Sequence, residues 1–140
     1  MTRSLTLAAA GVLTALSSPA LAEGLRLTID GIRNGQGNIL ITVFSEAKAY
    51  ETLNFWQAEA FAAIPARPGS TAHAFPDLTA GPYAVVLFHD ENSDEDLNFS
   101  GDRLLEGIGV SGARSPDDEP GFAEASVPPG DVTVQVFYDG

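Results

Sequence analysis

Leu25, Leu27 and Ile29 alternate with Arg26, Thr28 and Asp30, the two-residue period of a strand with one buried and one solvated face. Residues 38–44 form a second apolar, β-branched run through Ile39, Ile41 and Val43. Between the two runs Asn34-Gly35 supplies residues tolerant of positive φ, so the pair is expected to close as a hairpin. The period then changes. Ser45 is placed to cap one or two helical turns carrying Glu46, Ala47, Lys48 and Ala49, with Tyr50 and Leu53 meeting on one side. Residues 55–64 suit a helix by their alanines and an edge strand by Phe61, Ala63 and the following Pro65; the strand is favoured. Trp56 reads as a core or lid aromatic, with sugar stacking as the other use of such a ring.

Arg67-Pro68-Gly69 is turn chemistry, residues 70–75 a strand, and residues 76–82 a second turn leading into residues 83–89, the most apolar strand of the set. Residues 107–121 gather Gly, Ser, Pro and acids as a surface loop does. Residues 122–127 and 132–138, separated by Pro128-Pro129-Gly130-Asp131, read as a last hairpin with Val132, Val134, Val136 and Tyr138 on one face. About seven short strands with turn signals between them and almost no helix predict an all-β fold. The expected form is a single antiparallel β-sandwich, immunoglobulin- or transthyretin-like, with a short helical turn and a long acidic loop.

Length adds that 140 residues bury one core and not two. Arg3, the apolar residues 5–16 and the small-x-small pattern Ala20-Leu21-Ala22 read as an export signal. Residues 1–22 are therefore expected to be cleaved, leaving a domain at 23–140 in the periplasm or outside the cell. A membrane anchor needs about 20 apolar residues, and Ser17, Ser18 and Pro19 interrupt this run, so no span is expected after cleavage. Cysteine is absent, which removes disulfides, thiol nucleophiles and a lipid-bearing cysteine, and leaves burial or a bound ion to stabilise the domain. The net charge of −12 repels nucleic acid and anionic lipid and leaves divalent cations as partners, beside an unidentified carbohydrate or protein.

Candidate chemistry concentrates in residues 89–102, HDENSDEDLNFSGD. Hard cations such as Ca²⁺ take about six to eight oxygens, and alternate residues of a tight loop deliver them to one centre. Asp90, Asn92, Asp94 and Asp96 have that spacing, Leu97 falls where an EF-hand-like loop turns an apolar residue inward, and Asn98 takes the next ligand position. Glu95 stands where such a loop wants glycine, and Gly101 where it wants a closing carboxylate, so Asp102 or Glu106 has to substitute. The expected metal set is Asp90, Asn92, Asp94, Asp96, Asn98 and Asp102, with Ca²⁺ as the ion. The same acids also read as a solvated charged loop.

His89 is expected to orient this loop by hydrogen bonding rather than to ligate. If residues 70–75 pair with residues 83–89, His73 lies opposite Val85, about 13 Å from His89 and too far to share a metal, which makes it a surface residue. No nucleophile elbow, zinc-protease helix or phosphate loop occurs. Ser100 and Ser111 near His89 and Asp90 lack the rigid setting a triad needs, and no feature selects a glycosidase pair. No catalytic residues are expected and the chain is read as non-enzymatic.

The run Asp77-Leu78-Thr79-Ala80-Gly81-Pro82-Tyr83-Ala84-Val85, followed by His89-Asp90-Glu91-Asn92, resembles the bacterial secreted family known as domain of unknown function 2141. The similarity takes in Glu106-Gly107-Ile108-Gly109-Val110-Ser111 and Phe122-Ala123-Glu124-Ala125 and covers the chain after the leader. Its leucine-to-tyrosine step is shared with transthyretin-like and carboxypeptidase-regulatory-like sandwiches. The resemblance implies a signal-bearing sandwich of no established activity, with a cation-type loop after the central strand. Relatives continue HDEN with alternating Asn and Gly, whereas this chain has Ser93, Asp94, Glu95, Asp96, Leu97 and Asn98, a more charged and less pre-formed loop. The resulting functional expectation is an exported β-sandwich module with a calcium-type loop. Its rivals are a carbohydrate- or protein-binding domain in which Trp56 or Tyr50 matters more, and a hydrolase using His89 and nearby acids.

Overall fold

The computed structural model describes residues 23–139; the leader expectation falls on residues 1–22, outside the described residues. Nine strands are described: β1 (Leu25–Ile32), β2 (Asn38–Phe44), β3 (Ala60–Pro65), β4 (Gly69–Phe75), β5 (Ala84–Asp90), β6 (Phe99–Ser100), β7 (Arg103–Leu104), β8 (Gly107–Val110) and β9 (Gly130–Gln135). Among the described residues helix is confined to α1 (Ala47–Glu51), α2 (Phe122–Ala125) and a 3-10 turn at Phe55–Gln57. The fold is all-β, as expected.

One sheet has the order β4-β1-β9, a second β3-β2-β5-β8, and β6-β7 form a separate short ribbon. Leu25, Leu27 and Ile29 of β1 and Val134 of β9 pack with Ile39, Ile41 and Val43 of β2 and Val85 and Leu87 of β5 in one core. The two larger sheets thus bury their apolar faces against each other, which supplies most of the driving force for the fold. The outer face of the four-stranded sheet is also covered, because Phe44, Ala84, Val86 and Phe88 pack with Ala49, Tyr50 and Ala125 from α1 and α2. Consequently every residue of β5 is buried, and its run of apolar residues reflects burial on two faces rather than alternation.

Strand pairing departs from the sequence reading in four places. β1 and β2 do not form a hairpin: β1 pairs with β4 and β9, and β2 with β3 and β5. The five-residue link between them, residues 33–37, crosses from one sheet to the other, so its turn residues serve a crossover. β4 likewise pairs with β1 and not with β5; His73 faces Leu27 and stacks edge-on against Phe75 at 4.7 Å, half-buried rather than a plain surface residue. β9 runs parallel to β1, so the three-stranded sheet is not wholly antiparallel. Finally, residues 122–125 are the helical turn α2, and only Val127 makes a bridge, to Tyr83.

Smaller differences have equally local causes. Ser45 does not cap α1, which has no side-chain cap; its hydroxyl donates to Glu59 instead, at 3.0 Å. The ambiguous residues 55–64 divide into the 3-10 turn and β3. Trp56 is neither core nor lid, being 98% exposed. β8 lies inside the expected loop because its inward positions are glycines: a Cβ at Gly107 would meet Tyr138 at 2.5 Å, and one at Gly109 would meet Leu87 at 2.8 Å. Close approach of the C-terminal segment excludes side chains there, so the alternation that marks a strand is missing.

Candidate metal centre

Strand parity places the site. Along β5 the side chains of Val85, Leu87 and His89 point into the shared core, and those of Ala84, Val86, Phe88 and Asp90 point to the opposite face. His89 and Asp90 are neighbours in sequence but diverge in space. His89 is fully buried; its Nε2 donates to the carbonyl of Gln36 at 2.7 Å, and its Nδ1 lies 2.7 Å from the Tyr138 hydroxyl. In the neutral ring this leaves Nδ1 to accept from Tyr138, whose oxygen accepts in turn from the backbone N–H of Arg33 at 3.2 Å. His89 therefore ties the link between β1 and β2 to the C-terminal segment, and its hydrogen bonds do not go to the acidic loop.

Asp90 and Glu106 meet through the β5-β8 register. Phe88 pairs with Ile108 and His89 with Gly107, and one step further along this register Asp90 faces Glu106. The β6-β7 ribbon returns the chain to that point, with the backbone N–H of Leu105 donating to the carbonyl of Asn98 at 2.8 Å. Two carboxylates opposed across a strand pair repel. Both residues are buried, Asp90 at 1% and Glu106 at 4% exposure, and Asp94 completes a group in which one carboxylate oxygen from each residue lies within 4.8 Å of the others.

Most polar atoms here are occupied. Asp90 accepts from the backbone N–H groups of Asp94 at 3.3 Å and Glu95 at 2.9 Å. Asp94 accepts from the backbone of Asp96 at 3.0 Å and from the amides of Asn92 and Asn98 at 3.0 and 2.8 Å. Glu106 Oε2 accepts from the backbone of Glu91 at 3.1 Å. Glu106 Oε1, in contrast, is buried and makes no hydrogen bond to any described residue. Leaving such an atom unpaired costs about 1–3 kcal/mol, more when it is charged.

The electrostatics follow from these contacts. Burial pushes the Glu106 carboxyl up to about 7, opposed by the Glu91 N–H and reinforced by the negative charges of Asp90, Asp94 and Glu91. Asp94 is held below its usual value, chiefly by the Asn98 amide and the Asp96 N–H. Glu91 is pushed up by burial, but hydrogen bonds from Arg33 and Asn34 outweigh this and leave it below the usual carboxylate range. Arg33 is spent on Glu91, on the Leu105 carbonyl at 3.1 Å and on the face of Tyr138 at 4.4 Å. Among the described residues no salt bridge reaches Asp90, Asp94 or Glu106.

Of the six expected ligands, the fold brings Asp90 and Asp94 together and adds Glu106, which sequence spacing offered only as a substitute. Asn92 and Asn98 border the site and line a shallow cavity of about 210 Å³ with Glu106; each directs its NH₂ at Asp94 and would have to turn its amide to offer oxygen. The carboxylates of Asp96 and Asp102 lie outside the converging group. Ser93 and Glu95 have φ of 57° and 61°, a left-handed conformation that favours glycine, so the loop takes its glycine-type path without glycine. Leu97 packs inward against the outer core, beside residues such as Phe44 and Phe88. Ser111 is spent on structure, donating to the Ala125 carbonyl at 2.6 Å and accepting from the Val85 N–H at 2.9 Å.

All donors that converge are oxygens, with no cysteine in the chain and His89 turned away, which is the donor chemistry of a hard cation. Ligands on opposite sides of a Ca²⁺ ion stand about 4.8 Å apart, twice a bond of about 2.4 Å, and the carboxylate group fits within that span. Among known proteins, residues 27–137 match a model of the family described as an uncharacterized protein conserved in bacteria, domain of unknown function 2141. No curated protein and no solved structure matches the chain.

Proposed function

As the chain belongs to the bacterial family of domain of unknown function 2141, we propose that it is an exported, non-enzymatic β module in which Asp90, Asp94 and Glu106 hold a calcium-type cation. The observation that carries this reading is Glu106 Oε1, a buried oxygen without a hydrogen-bond donor beside two further carboxylates. A divalent ion supplies the missing partner and cancels the repulsion across the β5-β8 register. Oxygens from Asn92 and Asn98 after amide rotation, or water, complete the shell. The ion's role is to lock residues 90–106 onto the end of the four-stranded sheet, with export resting on the leader pattern at residues 20–22.

Affinity is expected in the weak extracellular range, about 10⁻⁴ to 10⁻³ M, because two non-glycine residues hold positive φ and two amides must turn. Calorimetric titration of the purified protein with Ca²⁺, Mg²⁺ and Zn²⁺ is the direct test. Saturable binding of Ca²⁺ that is stronger than that of Mg²⁺ and lost in Asp94→Ala supports the proposal. No heat and no change in thermal stability with any of the three ions overturns it.

A further inference from the structure

The outer face of the four-stranded sheet carries a second feature, which meets the cation centre only at Asp90. Leu40 and Thr42 of β2 and Phe88 of β5 floor a cavity of about 480 Å³, walled by Phe55, Trp56, Phe61 and Glu95. That volume is within the roughly 300–1,000 Å³ of small-molecule sites. Three of its aromatic rings are displayed to solvent, Phe55 at 46%, Phe61 at 62% and Trp56 at 98% exposure, which a stable soluble domain does not need for its core. A smaller cavity of about 270 Å³ shares Leu40, Phe55, Phe88 and Glu95 and continues to Asp90 and Asp96. No lysine, arginine or histidine lines either cavity.

We propose that this groove binds a small soluble quaternary ammonium cation, its head group seated among Phe55, Trp56, Phe61 and Phe88 and its charge facing Glu95. Aromatic faces attract a cation through the ring quadrupole, and the acidic end of the groove adds attraction of the same sign. The lining selects within cations. A primary ammonium needs three acceptors to replace its water, and the main cavity offers only the Thr42 hydroxyl and the Glu95 carboxylate as polar side chains, whereas a quaternary head needs none. The same poverty of polar groups argues against a saccharide, whose hydroxyls need many partners. A phosphocholine lipid is disfavoured because its phosphate would lie against Glu95, Asp90 and Asp96. Glu95 is held in place by its own backbone, which donates to Asp90 at 2.9 Å in a left-handed conformation.

Trp56 is the chain's single tryptophan, so its emission reports on the groove directly. Choline chloride is titrated into the purified protein against matched sodium chloride, both in chelator and in calcium. Its uncharged isostere 3,3-dimethyl-1-butanol, glucose and phosphatidylcholine vesicles are the comparison arms. The expected result is a saturable change with choline, at least tenfold weaker binding of the alcohol, and no response to glucose or vesicles. Glu95→Gln should weaken choline about tenfold and leave the alcohol unchanged, and Phe61→Ala, at an exposed position, should weaken both. Equal binding of alcohol and choline overturns the proposal in favour of a plain apolar site. A response to glucose or vesicles without one to free choline, or a choline effect matched by sodium chloride, overturns it as well. Persistence of choline binding in chelator separates this site from the cation centre, since failure of either leaves the other standing.

Discussion

Replacing Glu106 by glutamine should reverse its effect on stability between chelator and calcium. The folded domain raises this carboxyl from 4.5 to about 7, so the folded state keeps its proton after the unfolded chain has lost it. Between those pH values the folded state binds more protons, and stability falls as pH rises through the window. Below about 4.5 the cost is absent; above about 7 it is complete. Unscreened, the interval corresponds to about 3 kcal/mol. Water at the rim and the exposed Asp94 reduce this to on the order of 1–2 kcal/mol. Glu106→Gln keeps an acceptor for the Glu91 N–H and removes the charge. In chelator at pH 8 the variant should therefore melt above the wild type, by roughly 5 °C for a domain of this size, and at pH 4 the two should coincide. In calcium at one hundred times the dissociation constant the wild type gains about 2.7 kcal/mol and the variant nothing, so the order inverts. Differential scanning calorimetry at both pH values, with and without calcium, measures all four states. A variant less stable than wild type in chelator at pH 8, or one that keeps the full calcium response, would refute the account of Glu106 as an unpaired buried ligand.

Four shorter predictions rest on other parts of the structure. Asp90→Ala and Asp94→Ala should abolish the calcium-induced rise in melting temperature, while Asp102→Ala and Asp117→Ala, outside the carboxylate group, should not; equal loss in all four would reduce the site to general surface charge. Ser93→Gly should stabilise the domain by about 1 kcal/mol in denaturant unfolding by relieving a left-handed residue, and an unchanged midpoint would show the loop relaxing by another route. Tyr138→Phe should cost about 1 kcal/mol and His89→Leu about 2–4 kcal/mol, since the latter orphans the Gln36 carbonyl as well as Tyr138; in Tyr138→Phe the calcium affinity should stay unchanged, and a tenfold loss would place His89 in the ion's environment after all. Intact mass spectrometry of exported protein should find Glu23 as its first residue, and a membrane-associated species retaining Met1 would reverse that expectation.

Local patterns in the chain were enough to mark the longer strands. Alternation at Leu25, Leu27 and Ile29, and the unbroken apolar run of β5, identified strands because burial on one or two faces leaves a direct record in residue type. The acids of residues 90–96 were equally legible, and the non-glycine positions where the loop takes positive φ, Ser93 and Glu95, are the two at which glycine was expected. Pairing was another matter. Period tells which side of a strand is buried and carries nothing about its neighbour, so β1 and β2 looked like a hairpin although they belong to opposite sheets. β8 was hidden because close packing by Val136 and Tyr138 demanded glycine where a strand normally shows side chains. The choice of Glu106 over Asp102 depended on register between β5 and β8, a contact across sixteen residues that spacing within one loop does not encode. The divergence of His89 from Asp90 arose the same way: adjacency in sequence places consecutive side chains on opposite faces of a strand, and only the folded sheets decide that one face is core and the other the floor of a charged site.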